Sequence, residues 1–287
     1  MLRELREADA PRVAELFAEA FGEARRLDAE EIRSWLDNDE LQADWLRVLE
    51  VDGEVVGYGD IFVDADEIAL DVAAPGHWEP FFDWVEQEGR ERGSARVRAY
   101  FPEGHELGAI ASARGYAIWR SSYTMEIEVP TAPQPRVPDG IALRAYRDAD
   151  AETLRAALNE AFAEDPFWTG VTPSNFREFY LRARGFDPSL WLLAWAGADL
   201  AGFVLAYPER AGDATLGWVG TLGVRPGWRR RGLGEALLLS AFAALRGRGL
   251  SRIGLGVDAE NVTGALRLYE RAGMRAVRRA DNWVRRP

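Results

Sequence analysis

Residues 219–236 read VGTLGVRPGWRRRGLGEA, and no other stretch of the chain is better furnished for chemistry. Arg229, Arg230 and Arg231 precede Gly232, Leu233 and Gly234, and an apolar stretch of helical length, 236–245, follows. Ahead of them the run from Val219 to Val224, bounded by Pro226 and Gly227, has the length and composition of a buried strand. A strand that passes through a glycine-bearing turn into a helix makes an anion site. The free N–H groups of the first helical turn point the same way, and the macrodipole adds partial positive charge. Glycine at 232 and 234 leaves room for a pyrophosphate where a Cβ would stand. The three arginines also suit a solvated charge run. The side chains of Leu222 and Val224 suit an ordinary core, so only the N–H and C=O groups of 222–224 are candidate ligand contacts.

Downstream, Ile253 to Val257 reads as a strand, followed by Asp258-Ala259-Glu260-Asn261 and then Ala265-Leu266-Arg267-Leu268-Tyr269-Glu270-Arg271-Ala272-Gly273-Met274. The two stretches together resemble the GNAT acetyltransferases. That family binds acyl-CoA at an Arg-x-x-Gly-x-Gly turn after a strand and carries a later strand, an Asn and a helix with L-Y-x-x-x-G-F/M. The resemblance implies acetyl-CoA as cofactor, held by the backbone of Leu222, Gly223 and Val224, by Arg229–Gly234 and by Asn261. It implies Tyr269 as the acid that protonates the departing thiolate. A phenol has a reference pKa near 10 and is protonated at neutral pH. Asn261 also suits a helix cap, and Tyr269 a core aromatic at helical spacing.

Many members of the family place a general-base Glu on the central strand, six residues before the motif valine. Here that position is Trp218, whose indole cannot take a proton. Asp165 and Glu164, in the loop 163–175 that borders the acceptor in the family, are the candidate bases. Phe167 and Trp168 of the same loop, with Trp218, are candidate aromatic walls for an acceptor, although large aromatics also fill cores.

Two domains position these residues. The stretch 129–140, VPTAPQPRVPDG, has four prolines and reads as a semi-rigid linker. The segments on either side match each other: Leu5-Arg6-Glu7-Ala8-Asp9-Ala10 with Tyr146-Arg147-Asp148-Ala149-Asp150-Ala151, Gly57 with Gly202, Leu70-Asp71-Val72 with Leu222-Gly223-Val224, and Gly115-Tyr116 with Gly273-Met274. The expected fold is α/β of the α+β type. It comprises two tandem GNAT-like domains, 1–129 and 141–287 with a linker at 130–140, each a mixed, mostly antiparallel sheet flanked by helices. The first copy reads AAPGHWEPFFDWVEQEG after Val72, without the arginines and G-x-G, and Ala111 stands at its Tyr269 position, so catalysis is expected in the second copy alone. A tandem layout with the active domain second resembles the mycothiol synthases of the family, from which Trp218 departs.

Composition narrows the function further. The chain of 287 residues has no cysteine and two histidines, which excludes a Cys acyl-enzyme and a thiolate metal site and leaves no expected metal. Its 35 basic residues are all arginine. Residues 1–130 hold 13 arginines against 30 acids, and the remainder 22 against 17, so the second half suits a polyanionic cofactor. A net charge of −12 argues against nucleic acid, and no apolar run suggests a membrane span. The expected protein is cytoplasmic, a monomer with an internal pseudo-dimer or a homodimer, and acetylates a primary amine of a small molecule by direct attack in a ternary complex. The alternatives are a mycothiol synthase-type acetyltransferase and an acyl-CoA sensor or sequestering protein that transfers nothing.

Overall fold

The computed structural model describes every residue except 26, 38–41, 65, 129–131, 166–167, 211–212, 262–263 and 287. The chain forms two compact units, Met1–Ser122 with Arg278–Pro287, and Tyr123–Val277. In chain order the elements are β1 (Leu2–Glu4), α1 (Ala10–Phe21), α2 (Ala29–Leu36), β2 (Leu46–Val51), β3 (Glu54–Asp64), β4 (Glu67–Ala73), α3 (Glu79–Arg92), β5 (Arg96–Pro102), α4 (Leu107–Ala113) and β6 (Ala117–Glu128), then β7 (Ala142–Ala145), α5 (Ala151–Phe162), α6 (Pro173–Phe176), β8 (Trp191–Ala196), β9 (Asp199–Tyr207), β10 (Leu216–Val224), α7 (Leu233–Gly247), β11 (Arg252–Asp258), α8 (Ala265–Arg271) and β12 (Arg275–Arg285). The sheet of the first unit runs β1-β2-β3-β4-β5, then the C-terminal part of β12 and the first half of β6. That of the second runs β7-β8-β9-β10-β11, then the second half of β6. In each unit one central pair is parallel, β4 with β5 and β10 with β11, and the neighbouring hairpins are antiparallel.

The two units repeat one design down to single contacts. Arg3 donates from both terminal nitrogens to Asp9 at 2.7 and 2.9 Å, and the Asp9 carboxylate also accepts from Arg6 N–H. Arg144, Asp150 and Arg147 N–H repeat that set in the second unit. The bidentate arginine holds each carboxyl below the usual carboxylate range. Each unit's first hairpin carries a bulge at the same place, Leu49/Glu50 and Ala194/Trp195. In the first hairpin Asp52 and Gly53 both have positive φ, the backbone that a two-residue turn between twisted strands needs.

The division differs from the linker-based expectation of 1–129 and 141–287. The last ten residues return to the first unit, and the chain changes unit inside β6. Apolar patterning tells which face of a strand is buried and is silent about which neighbour completes it. The returning strand is fixed by a buried polar network. Asp281, 4% exposed, accepts from Ser121 Oγ at 2.6 Å and from Arg279 Nε at 3.1 Å, and Arg279 also donates to Ser121 and Glu103. Arg285 pairs with the buried Glu86 of α3 at 2.8 Å. Trp283 stacks on Phe101 of β5 with centroids 5.7 Å apart.

In the second unit α7 buries Leu237, Leu238, Ala241, Phe242 and Leu245 against β8, β9 and β10. The other face of the sheet receives Leu154, Ala157, Leu158 and Ala161 of α5, the i, i+3, i+4, i+7 stripe of an amphipathic helix, against Trp191, Phe203 and Leu205. Burying a leucine or phenylalanine of this kind contributes about 1.5–3 kcal/mol each. These two layers hold β10 rigid, and β10 carries the candidate site.

Candidate active site

Strand β10 pairs with β11 from Leu216↔Arg252 to Val219↔Leu255, and there the ladder stops. Both strands continue, β10 to Val224 and β11 to Asp258. A bulge at Gly220 bends β10 at the same point, while its ladder to β9 continues from Thr221 to Val224. Bulges bend a strand and increase its twist, which is how neighbouring strands are made to part. The backbone of 220–224 on the β11 side is therefore free of ladder bonds among the described residues. Gly223 is a matter of space: a Cβ there would lie 2.2 Å from the Phe203 ring across the β9 ladder.

Beyond Val224 the turn 225–232 leads into α7. Arg230 has φ of +59° and Gly232 of +81°, and left-handed residues of this kind build the N–H concavities that accept anions. The first intrahelical bond of α7 is Ala236 N–H to Gly232 O, so the N–H groups of Leu233, Gly234 and Glu235 have no helical acceptor. The arginines divide in two. Arg229 donates to Val224 O (3.1 Å), Ala161 O (2.9 Å) and Glu164 (2.7 Å), and Arg225 bonds Leu200 O and Glu160. These two fasten the turn to the C-terminal end of α5, where a helix favours a cation. Arg230 and Arg231 are exposed, with the Arg231 guanidinium 5.1 Å from the centre of the Trp228 ring. A cradle with free N–H groups and two available guanidinium groups fits a pyrophosphate. Arg229, expected to bind phosphate, instead has its donors on the protein.

Tyr269 of α8 is 7% exposed, and its hydroxyl makes no hydrogen bond among the described residues. Burial pushes it up to about 12. The phenol therefore keeps its proton across the neutral range. The Asn261 side-chain oxygen Oδ1 lies 3.5 Å from the Ala265 nitrogen at the start of α8, a long contact in the capping position.

The acceptor residues expected from sequence are less close-knit. Trp168 stacks on Phe162 with centroids 4.9 Å apart and donates to Asn159, which fastens its loop to α5. Trp218 lies across β11, with its ring against Gly254 and the Arg210 guanidinium 4.3 Å from the ring centre. No contact joins the two among the described residues, and Phe167 lies outside them. Glu164 is held by Arg229, and Asp165 is half-buried with its C=O accepting from Trp168 N–H. Nothing in the residue pattern singles out Tyr180. It sits on the π-helical turn Arg177–Leu181, with its hydroxyl near the Thr221 side chain at the β10 bulge, and burial raises its pKa above the usual phenol value. Such turns are rare and concentrate at functional sites. Their presence depends on packing, so the local sequence carries no sign of them.

Residues 152–274 match the family model described as the acetyltransferase (GNAT) family. The GCN5-related N-acetyltransferase from Sphaerobacter thermophilus has a solved structure that is 30% identical, with a TM-score of 0.77 over all of this chain and 96% of that one. The chain belongs to the GCN5-related N-acetyltransferase family. A tandem GNAT protein from the clavulanic acid biosynthesis pathway shares the fold at 16% identity, with a TM-score of 0.75 over all of this chain and 98% of that one. Proteins named mycothiol acetyltransferase are also similar. That of Thermobispora bispora is 37% identical over 165 residues, 56% of this chain and 54% of the relative, and that of Salinispora tropica 41% over 170 residues, 56% and 52%. The chain thus spans about half the length of the curated relatives it matches. No helix among the described residues is long and apolar enough to cross a membrane.

The two GNAT-like turns differ in length and in charge. In the first unit five residues, 74–78, join β4 to α3, against eight between β10 and α7. Helix α3 opens with Glu79, a carboxylate, and Pro80, which has no N–H. Trp78, 2% exposed, fills the place before it and donates to Glu106 at 2.7 Å. The first turn therefore sets a carboxylate where the second has arginines, and loses one helical N–H to proline.

The first unit has its own ionisable group in an unusual state. Burial, and then the charge of Asp71, push the Asp60 carboxyl up to about 8. The same group in an unfolded chain titrates near 4. Between about pH 4 and 8 the folded state thus binds the extra proton, and stability falls as pH rises through that window. Asp60→Asn is expected to flatten the slope and to raise Tm relative to the wild type most at pH 8–9. Thermal unfolding of both proteins at pH 5, 7 and 9 measures this. Parallel profiles would show that Asp60 is ionised in the folded state.

Proposed function

We propose that the second unit transfers an acetyl group from acetyl-CoA to a primary amine of a small molecule. The observation that carries this reading is the parting of β10 from β11 just before an arginine- and glycine-bearing turn that opens α7. The free backbone of Leu222, Gly223 and Val224 holds the amide-bearing arm, while Arg230, Arg231 and the N–H groups of Gly232, Leu233 and Gly234 hold the phosphates. Bound acetyl-CoA supplies an activated acetyl carbon and a thiolate leaving group. Tyr269 Oη holds the proton that the sulfur takes. Asp165 or Glu164, both just beyond α5, accepts the proton of the attacking amine, directly or through water, since the Trp218 indole cannot accept one. With no cysteine to carry the acetyl group, the chain must present the amine directly. The relatives named mycothiol acetyltransferase support putting acceptors of that type among those tried.

The test is a panel of amines incubated with the chain and acetyl-CoA while free thiol is followed. Amine-dependent thiol release supports the proposal. Saturable acetyl-CoA binding without release for any amine would favour a binding protein that transfers nothing, and absence of binding would sink both. The double charge reversal Arg230→Glu with Arg231→Glu is expected to raise KM for acetyl-CoA at least tenfold, as each exchange replaces a phosphate donor by a repelling charge. Turnover at saturation should change little. An unchanged KM would remove both arginines from the phosphate site.

A further inference from the structure

With the phosphates at 230–234 and the amide-bearing arm along 222–224, the thioester end of the cofactor reaches Gly220 and Thr221, where β10 parts from β11. Gly220 is exposed and Thr221 half-buried, so this point is open to a second reactant. A side chain at 220 has no room, since a Cβ there would lie 2.6 Å from the Tyr207 ring. Thr221 therefore presents the first side chain beyond the parting. Its cross-strand partner is Leu205, which packs with α5, so Thr221 stands on the α5 face of the sheet.

Tyr180 brings its hydroxyl near the Thr221 side chain and lies within electrostatic reach of the Tyr207 phenol. Its ring is fixed on two sides. It stacks on Phe176 with centroids 5.3 Å apart and meets Trp191 edge-on at 6.4 Å. The π-helical turn sets its direction: Arg182 N–H bonds Arg177 O, five residues back, at 2.9 Å, and the widened turn rotates Tyr180 relative to a regular helix.

The first unit is an internal control for what the fold itself requires. The matched hairpin bulges align Gly57 with Gly202, and hence Phe62 with Tyr207. Cross-strand pairing makes Asp71 the counterpart of Thr221, and Arg25 holds that carboxylate. The second helix there, α2, is α-helical from Ala29 to Leu36. The same strand pair thus closes without this set of hydroxyls. They accompany the copy that has the arginine- and glycine-bearing turn.

We propose that Tyr180 is a positioning residue that acts through Thr221: it accepts the Thr221 hydroxyl proton, and the Thr221 oxygen then accepts a hydrogen bond from the acceptor amine. With its one proton on Tyr180, the threonine oxygen can only accept toward the site. An amine N–H held there turns the nitrogen lone pair toward the acetyl carbon, which is the orientation that direct attack needs. The proposal rests on the acetyl-transfer reading above.

The test follows thiol release by the full chain at saturating acetyl-CoA, with ethylamine, benzylamine and ethanolamine as acceptors. Tyr180→Phe keeps the stacked ring and Thr221→Val the shape of the side chain. Each is expected to lower kcat/KM for the amine about tenfold, with KM for acetyl-CoA and Tm near those of the wild type. Thr221→Ser, which keeps the hydroxyl, should retain most of the activity. The double variant should be no worse than Thr221→Val alone, because one hydroxyl works through the other. Unchanged kcat/KM in either single variant, losses that multiply in the double variant, or a tenfold rise in KM for acetyl-CoA would overturn the proposal. Absence of release from the wild type with every amine would overturn the acetyl-transfer reading itself, and this proposal with it.

Discussion

Tyr269→Phe is expected to lower kcat for acetyl transfer at least tenfold while leaving KM for acetyl-CoA and Tm close to those of the wild type. The reasoning rests on what the hydroxyl does and does not do in the fold. The ring packs in the core of the second unit, and phenylalanine fills the same space. The hydroxyl has no hydrogen bond among the described residues, so its removal leaves no partner unsatisfied. What is lost is a proton donor. Burial keeps the phenol protonated throughout the working range, its pKa being pushed up to about 12. General acids of this kind contribute on the order of 10²–10⁴ in rate, part of which water can recover. The expected signature is therefore a fall in kcat and kcat/KM together. A variant with near-full turnover would remove Tyr269 from the chemistry, whereas a lower Tm would show that the hydroxyl has a structural task.

Deleting residues 278–287 is expected to unfold the first unit and spare the second. The deletion withdraws a strand from between β5 and β6 and bares the edges of both. It removes Asp281 from Ser121, Arg285 from Glu86 and Trp283 from Phe101. Asp281→Ala is the milder version. It strips a buried acceptor from Arg279 and Ser121, and leaving such groups short of a partner costs about 1–3 kcal/mol. Denaturant unfolding of the deletion should lose the transition of the first unit while acetyl-CoA binding persists. Loss of binding together with an intact first transition would mean that the C-terminal strand serves the second unit.

Much of the site was legible in the chain because phosphate recognition by backbone is local. A strand end, two glycines and the start of a helix lie within 16 residues, 219–234, so the groups that meet the anion are set by their own neighbours. Tyr269 and its helix were legible for the same reason. The division of labour among the arginines was not. Arg229 and Arg231 are equivalent in sequence, but only the end of α5 decides that Arg229 meets Ala161 and Glu164 while Arg231 faces solvent. The internal repeat was legible but misregistered over one segment. Ala73 is the cross-strand partner of Tyr58 as Gly223 is of Phe203, which makes Thr221 the counterpart of Asp71. Matching residues 70–72 to 222–224 missed this because the second copy has a bulge at Gly220 and a turn three residues longer.

The sequence by itself determined the family, the tandem plan and the copy that keeps the arginine- and glycine-bearing turn on which the proposed cofactor site rests. Each depends on residue types at short spacing, where geometry follows from the chain. Tertiary structure alone decided which unit owns the last strand, where β10 leaves β11, and that Asp60 faces Asp71. These pairings join residues far apart in sequence. Hydrophobic pattern says which face of a strand is buried, and the partner is chosen only when the units close around their cores.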